Sequence, residues 1–591
     1  MQTILKYRRI SLVIKILLIG FGISLMINFI LGNYLKLGYP FNTFLFRTEV
    51  IFRDFIYPNN IAADPYSTLL EKTVAGGISW KLPEIIKGDL WIKNGLGPLY
   101  FPFAYWIAYP FHLLPFGSAI LAFWIISVLI FVLICFKQIR RPAGVGRALL
   151  VCVLSYPFLF LVDRSNFEIF IFLFVYLFFL WYDRHPWLSA GALAFATAMK
   201  FLPIGYVILY LRDRKYKQAI FTGGLAFVLN VAGYALYPGG LISNIRAHLF
   251  NLRLSSLYYG FIGSDVAFNS SLSSGVKYLF LLFWPKPDLE AAGLAAAGVI
   301  SWLIPLVAGI VLIYFFLLEK ERWKQATLVT CLILLLPASS ADYRLLLIYV
   351  PFFLWLDTPA QSYYDYIYAF LFAGLFIPKS YFHLPVLPEI SISVLVNPLL
   401  MLGLIGLIVV EKMKELSRLK ITIKGLWSSL PGWQKWGAVI LAGIMVVWLA
   451  SLEFPTPAKA SPTAVTQQLS ALGLSAENDR NYLEAIGYYE QWKALEPANP
   501  DARLSLAHAY LEYNENWIAF QQYKKAIWLY SPGTEKSRQA DAGLQIAMED
   551  SVCDMVRKQE FESAKLIQTE FKQQFPDLPF LFQFDCGKNV N

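Results

Sequence analysis

The sequence predicts an all-α protein: a polytopic transmembrane helical bundle followed by a C-terminal α-helical domain. Three observations carry this. Apolar residues make up 57% of 591 positions and charged residues 15%, with mean hydropathy +0.52, outside the mix of a soluble globular chain. Apolar runs long enough to span lipid, about 20 helical residues each, recur between short basic breaks. Near residue 465 the composition turns polar and a 34-residue repeat begins.

The first apolar run, residues 10–32, follows the basic Lys6–Arg9 segment. It is too long for a signal h-region and lacks a small-residue cleavage site, so it is expected to remain as an anchor. Further runs lie near residues 99–136, 147–183, 187–211, 218–237, 292–317, 325–357, 364–378, 392–411 and 436–453. Several must be hairpins or broken helices, giving about 11 to 13 transmembrane or re-entrant helices within residues 1–455. A Pro-rich linker, 456–464, precedes the second domain, 465–591.

The net charge of +10 sits mainly in the breaks, at Lys6–Arg9, Lys137–Arg147, Arg212–Lys217 and Lys412–Lys424. This is positive-inside bias, and no basic aromatic face accompanies it, so nucleic acid is excluded as a partner. With these breaks in the cytoplasm, loop 33–97, the Asp163–Glu168 hairpin and the stretch 238–290 fall outside. The Pro-rich run 98–115 and the run 187–211, broken at Lys200–Pro203, then cannot both be full spans. Irregular backbone at membrane depth is tolerated where it lines a cavity, so a cavity at the outer face is expected.

Cys135, Cys152 and Cys331 lie in apolar runs as small core residues, while Cys553 and Cys586 lie in the polar tail. No CxxC or His/Cys spacing suggests a metal site, and neither metal nor cofactor is expected. In the tail, Leu472, Gly473, Ala485, Tyr489, Trp492 and Pro497 recur 34 residues later as Leu506, Ala507, Ala519, Tyr523, Ala526 and, one place late, Pro532. A degenerate third unit ends with Ala564, Phe571 and Pro576. Period 34 with these residue types is the tetratricopeptide (TPR) signature. Charge bookkeeping puts this domain on the exterior, where Cys553 and Cys586 would be free to pair.

Five segments hold chemistry-bearing side chains. The first exterior loop, FRTEVIFRDFIYPNNIAADPYS, carries Arg47, Glu49, Arg53, Asp54, Tyr57 and Asp64 among aromatics. A carboxylate there either acts as a general base in a partly desolvated pocket or pairs with an arginine or caps a helix. NGLGPLYFPFAYWIAYPFHLLP, with four prolines, reads as a kinked interfacial helix. The hairpin VDRSNFE packs Asp163, Arg164, Asn166 and Glu168 into six residues, more charge than a minimal turn needs. Lys200, inside an apolar run, requires a phosphate, a carboxylate partner or a route to the interface. Lastly, FNSSLSSGVKYLF presents Asn269, and PASSADYR presents Asp342 and Arg344, for which mutual pairing is the simplest expectation.

Taken in order, RDFIY with DPY, GPLYFPFAYWIAYP, Arg164–Glu168, MKFLP, and FNSSL with ADYR resemble the polyprenyl-phosphate-sugar-dependent glycosyltransferases of the GT-C superfamily. The likeness is greatest to glycosyltransferase family 87 and the glycosylphosphatidylinositol mannosyltransferases, over about residues 10–355. It implies an exterior active site, inverting transfer of a hexose, usually mannose, from a polyprenyl-phosphate sugar, and no metal. Asp54 is the position matching the family's base. Some relatives carry paired acidic residues in this loop, whereas here Arg53 precedes Asp54 and Phe55 follows, so Glu49 or Asp64 remains open as base or helper. The developing phosphate charge needs cations, and Lys200, Arg164 and Arg344 are those available; Arg53, Tyr57, Asn166, Glu168 and Asn269 are candidate substrate contacts.

The expected setting is a bacterial inner or plasma membrane, with a glycan, lipid or protein acceptor and a protein partner for the repeats. A transporter or lipid flippase using Lys200 lacks the support of an inverted repeat. A membrane scaffold acting only through its repeats leaves Lys200 and the first-loop carboxylates unexplained.

Overall fold

The computed structural model describes residues 2–36, 42–45, 52–66, 100–257, 268–283, 289–337, 339–359, 362–379, 383–384, 387–418, 464–495, 499–530, 534–557, 564–565 and 568. The chain divides into two compact units, Met1–Ser67 with Gly97–Phe454, and Thr68–Leu96 with Pro455–Asn591.

The first unit is helical. α1 (Gln2–Phe29) runs into a π turn and is followed by α2 (Arg53–Asn60), α3 (Pro102–His112), α4 (Phe116–Ala143), α5 (Val145–Val153), α6 (Tyr156–Arg164), α7 (Glu168–Trp181) and α8 (Pro186–Met199). After a 3-10 turn at Leu202–Tyr206 come α9 (Val207–Arg212), α10 (Tyr216–Leu236), α11 (Gly240–Leu257), α12 (Leu272–Phe283), α13 (Leu289–Leu317) and α14 (Arg322–Leu335). A second 3-10 segment, Asp342–Ile348, leads into α15 (Tyr349–Leu356), α16 (Asp365–Phe376) and α17 (Ser393–Arg418). Among the described residues the only strands form a small antiparallel hairpin, β1 (His383–Leu384) and β2 (Leu387–Ser391).

Thr3–Tyr34, Phe116–Ile139, Tyr216–Leu236 and Ser393–Glu415 are long and apolar enough to cross a membrane. The pair α5 and α6, bent by 58°, makes a fifth if counted as one broken span. Several of these helices turn large apolar side chains outward, as at Leu133 (64% exposed), Ile220 (75%) and Phe227 (68%), an arrangement that lipid rather than water satisfies. The expectation of an all-α membrane bundle is met. The breaks also fall where the sequence put them. α3 is an 11-residue helix containing Pro110, and run 187–211 stops at Lys200, whose backbone is extended between α8 and the 3-10 turn.

α7 and α8, 14 residues each, run between two differently charged ends of this unit. At one end Arg9 is buried, clasping both carboxylate oxygens of Asp365 at 3.1 Å and the carbonyl of Trp355 at 2.8 Å. Lys6 pairs with Asp357, Arg322 with Asp213 at 2.6 Å, and Lys324 with Glu411 at 3.0 Å. Within the basic break Lys6–Arg9, Arg9 clasps α1 to the end of α15, the turn after it and the start of α16. Between the ends, α15 and α16 pack Tyr349 on Phe376 with centroids 3.9 Å apart.

The second unit stacks α18 (Ala464–Asn478), α19 (Tyr482–Leu495), α20 (Pro500–Glu512), α21 (Asn516–Leu529) and α22 (Glu535–Arg557), each helix packing on the next. Residues 34 apart occupy like places: Ala485 and Ala519 are both 0% exposed, Tyr489 and Tyr523 1% and 3%. A Cβ on Gly473 would lie 2.3 Å from the Tyr489 ring, so this close approach requires glycine. Asn499 caps α20, accepting from the Asp501 N–H at 2.9 Å, with Pro500 pre-set for the first turn. The repeat weakens at its first helix, where Leu472 is 39% exposed although Leu506 is fully buried. Ala564 is buried; Pro497, Pro532, Phe571 and Pro576 lie outside the described residues. Cys553 is disulfide-bonded, Cys586 lies outside the described residues, and Cys135, Cys152 and Cys331 are free and buried.

Candidate active site

The site is assembled at the end of the first unit opposite the Arg9 clasp, around the hairpin between α6 and α7. α6 terminates because Ser165 adopts φ 50°, and the Asn166 N–H then returns to the Leu161 carbonyl at 3.1 Å, a Schellman-type stop. The Trp124 indole donates to Val162 O and Ser165 Oγ, both at 3.1 Å, and pins the turn. Asn166 then uses Oδ1 to accept from the Glu168 N–H at 2.9 Å, starting α7. Arg164, Asn166 and Glu168 therefore project from one rigid reversal.

α2 is held against this hairpin. Phe52, with φ 62°, donates its N–H to the Asp163 carbonyl at 2.9 Å and accepts from the N–H groups of Phe55 and Ile56. A left-handed phenylalanine costs of the order of 1 to 3 kcal/mol and persists where surrounding bonds enforce it. Phe55 is fully buried and stacks on Phe167 at 5.9 Å, locking α2 to the start of α7. Asp54 is thereby set between two donors: Arg164 Nη2 to Oδ1 at 2.6 Å and Asn166 Nδ2 to Oδ2 at 2.8 Å. Each carboxylate oxygen has two lone pairs, so Asp54 keeps capacity for a further hydroxyl.

Lys200 reaches the same hairpin from the α8 break. Its ammonium pairs with Glu168 Oε2 at 3.0 Å and lies 5.2 Å from the centroid of the Tyr100 ring. The Phe101 N–H donates to Met199 O at 3.2 Å, which keeps Tyr100 beside Lys200. The Tyr100 hydroxyl completes the circuit by donating to Asn166 Oδ1 at 3.0 Å.

Arg344 stands on the second 3-10 segment, within electrostatic reach of Lys200 and Tyr100. Its Nη1 donates to Ser339 O at 2.7 Å, and its buried Nε has no hydrogen-bond partner among the described residues. Pairing between Asp342 and Arg344 is not found. Asp342 instead accepts from Ser270 Oγ at 2.6 Å, Tyr156 Oη at 3.1 Å and Asn397 Nδ2 at 3.2 Å, because the 3-10 geometry turns it into the bundle. Asn269 belongs to that clasp, its Oδ1 accepting from the N–H groups of Ser271 at 3.0 Å and Ser340 at 2.8 Å, and its backbone bridging to Ala341. Its amide oxygen holds segment 268–271 against 339–342, which leads into the 3-10 segment that carries Arg344.

Of the residues singled out in the sequence, the structure thus brings Asp54, Arg164, Asn166, Glu168 and Lys200 into one bonded circuit, with Arg344 alongside. Asp64 lies instead beside Tyr237. Glu49 and the side chains of Arg53 and Tyr57 lie outside the described residues. Two residues to which the sequence assigns no individual role, Tyr100 and Tyr343, also join the candidate site, the latter within electrostatic reach of Asp54, Arg164, Glu168 and Arg344. Tyr100 was hidden in a Pro-aromatic run whose composition suits an interfacial belt equally well. Tyr343 lies between Asp342 and Arg344, whose charges are the stronger signal in that segment.

Among the described residues no group of three or more His, Cys, Asp or Glu side chains could hold a metal ion. The arrangement offers a half-buried carboxylate with spare acceptor capacity and, within the same circuit, cations suited to an anionic leaving group. In comparison with known families, the model of glycosyltransferase family 87 matches residues 99–339. No curated protein and no solved structure matches the chain.

Proposed function

We propose that this chain, a glycosyltransferase by its family 87 match over residues 99–339, moves a hexose, mannose in the first instance, from a polyprenyl-phosphate sugar to an exterior glycan, lipid or protein acceptor with inversion. The observation that supports this best is Asp54 held by Arg164 and Asn166 while Lys200 stands in the same circuit. In this reading Asp54 takes the proton of the acceptor hydroxyl. The hydroxyl oxygen forms a bond to the anomeric carbon as the bond from that carbon to the phosphate oxygen breaks, and the polyprenyl phosphate leaves carrying the electron pair. Lys200 and Arg344 stabilise its charge in a site poor in water, where charge-assisted bonds are strongest. Lipid access follows from the outward apolar helices, which a lipid-linked donor can approach within the bilayer.

The second unit is read as a TPR-like array on the extracytoplasmic side of a bacterial inner or plasma membrane. Its stacked helices suit the capture of an acceptor protein or a biosynthetic partner.

The test is donor consumption by the purified full chain with synthetic polyprenyl-phosphate mannose or glucose, for wild type and Asp54→Asn. Turnover in wild type and a fall of about 10²- to 10⁴-fold in the variant is the expected result. Folded protein inert toward both donors would favour a transporter or scaffold. Activity surviving in Asp54→Asn would move the base to Glu49 or Asp64.

A further inference from the structure

We infer that Tyr100 is a positioning residue that couples the base half of the site to the phosphate half, using its hydroxyl for one and its ring for the other; this rests on the function proposed above. Asn166 carries an amide with two chemically different ends. Oδ1 accepts from the Glu168 backbone N–H at 2.9 Å and from the Tyr100 hydroxyl at 3.0 Å. A backbone N–H can only donate, so the oxygen end is fixed toward Glu168 and Tyr100, and Nδ2 must face Asp54 Oδ2, at 2.8 Å. The amide is thus presented to Asp54 as a donor. The Tyr100 hydroxyl is the only side chain among the described residues that donates to Oδ1, and losing it leaves the backbone bond alone to hold the amide in register.

The ring does separate work. Lys200 Nζ lies 5.2 Å from its centroid, within the range at which the negative face of an aromatic ring attracts an ammonium. Glu168 holds the same ammonium at 3.0 Å. When a lipid phosphate arrives, Lys200 must exchange the carboxylate for phosphate oxygens. Among the described residues the ring contact is the restraint on this ammonium that does not compete with the phosphate, because it takes up no N–H in a hydrogen bond. Tyr100 is itself 8% exposed and packs its ring edge-on to Phe167 at 6.2 Å, while the Phe101 N–H to Met199 O bond ties its backbone to the α8 break. Its position is therefore set from both halves.

The two substitutions Tyr100→Phe and Tyr100→Leu separate the functions. Tyr100→Phe keeps the ring and removes the hydroxyl; kcat, expressed per donor-binding site, is expected to fall about 5- to 10-fold with donor KM within about 2-fold of wild type. Tyr100→Leu removes both, and donor KM is expected to rise by a further factor of about 5 to 10. A double-mutant cycle excludes a general packing defect: in an Asn166→Ala background Tyr100→Phe should have no further effect, since the bond it breaks is already gone. Additive losses in that cycle, or Tyr100→Phe with wild-type kcat, would overturn the hydroxyl role. Equal donor KM in the Phe and Leu variants would overturn the ring role. Wild-type donor turnover, run in parallel, isolates the parent reading: folded wild-type protein inert toward both donors overturns the proposed function, whereas wild-type turnover beside an unaffected Tyr100→Phe overturns this inference alone.

Discussion

The two ends of the membrane unit both bury cations, yet they differ in how completely those cations are matched. At the Arg9 end, the guanidinium meets a bidentate carboxylate, two backbone carbonyls and the face of Trp355 at 5.0 Å, so its hydrogen-bonding capacity is largely used. At the Asp54 end, Arg344 has a backbone carbonyl for one nitrogen and, among the described residues, neither a hydrogen-bond partner for its buried Nε nor a carboxylate within ion-pair distance. Lys200 has one carboxylate and a ring. A matched cluster closes a fold, whereas an under-matched one of the same residue types is, in the function proposed above, prepared for an anion that comes from outside. Buried charge by itself does not mark a site; the unfilled donor capacity does.

The comparison breaks most directly by replacing each pair with apolar residues. Arg164→Met combined with Asp54→Leu is expected to abolish donor turnover, by about 10³-fold or more, since the proposed base is lost. Arg9→Met with Asp365→Leu should retain most of the activity, because replacing a buried pair by well-packed apolar groups is often neutral or stabilising. Equal losses in the two double variants, measured as donor consumption per folded protein, would erase the distinction between the ends. Removing one partner only, Arg9→Ala, leaves Asp365 buried and unpaired and should lower stability by about 3 to 5 kcal/mol, read as earlier thermal unfolding in detergent.

Arg344→Gln sharpens the comparison. Loss of charge-assisted bonds to phosphate, worth about 1.5 to 3 kcal/mol, is expected to weaken donor binding about 10- to 100-fold with little change in thermal stability. A stability loss without a change in donor affinity would make Arg344 a second structural clasp.

In the helical repeats the expected effects are smaller. Gly473→Val would push a side chain into Tyr489 and should cost about 1 to 3 kcal/mol, seen as faster hydrogen exchange across α18 and α19. Smallest of all is a pH effect at His508, whose pKa the adjoining Glu477 carboxylate raises above the ordinary 6.5. A raised folded pKa means that the contribution is complete below the unfolded value and fades as pH rises through the folded one. Exchange protection of α18 and α20 should therefore be greater at pH 5.5 than at pH 8.5, and His508→Gln should remove that difference.

The sequence alone determined the class of the molecule and the main pieces of the site. Apolar content and basic breaks require lipid-embedded helices whatever their packing, Lys200 before Phe201–Leu202–Pro203 breaks its helix locally, and RSNFE is too charged for an idle turn. The 34-residue spacing of Ala485 with Ala519 and Tyr489 with Tyr523 was enough to place both pairs in the same buried roles. What only the tertiary structure decided is pairing across long separations. Asp54 meets Arg164 110 residues away and Tyr100 meets Asn166 66 residues away, partnerships that no local pattern encodes. The same limit explains Arg9 and Asp342, whose charges were legible but whose partners, 356 residues away for Asp365 and 72 for Ser270, were chosen by helix packing. Periodicity and hydropathy act over a few turns of chain, whereas a buried charge settles with whichever donor or acceptor the fold carries to within 3 Å or so.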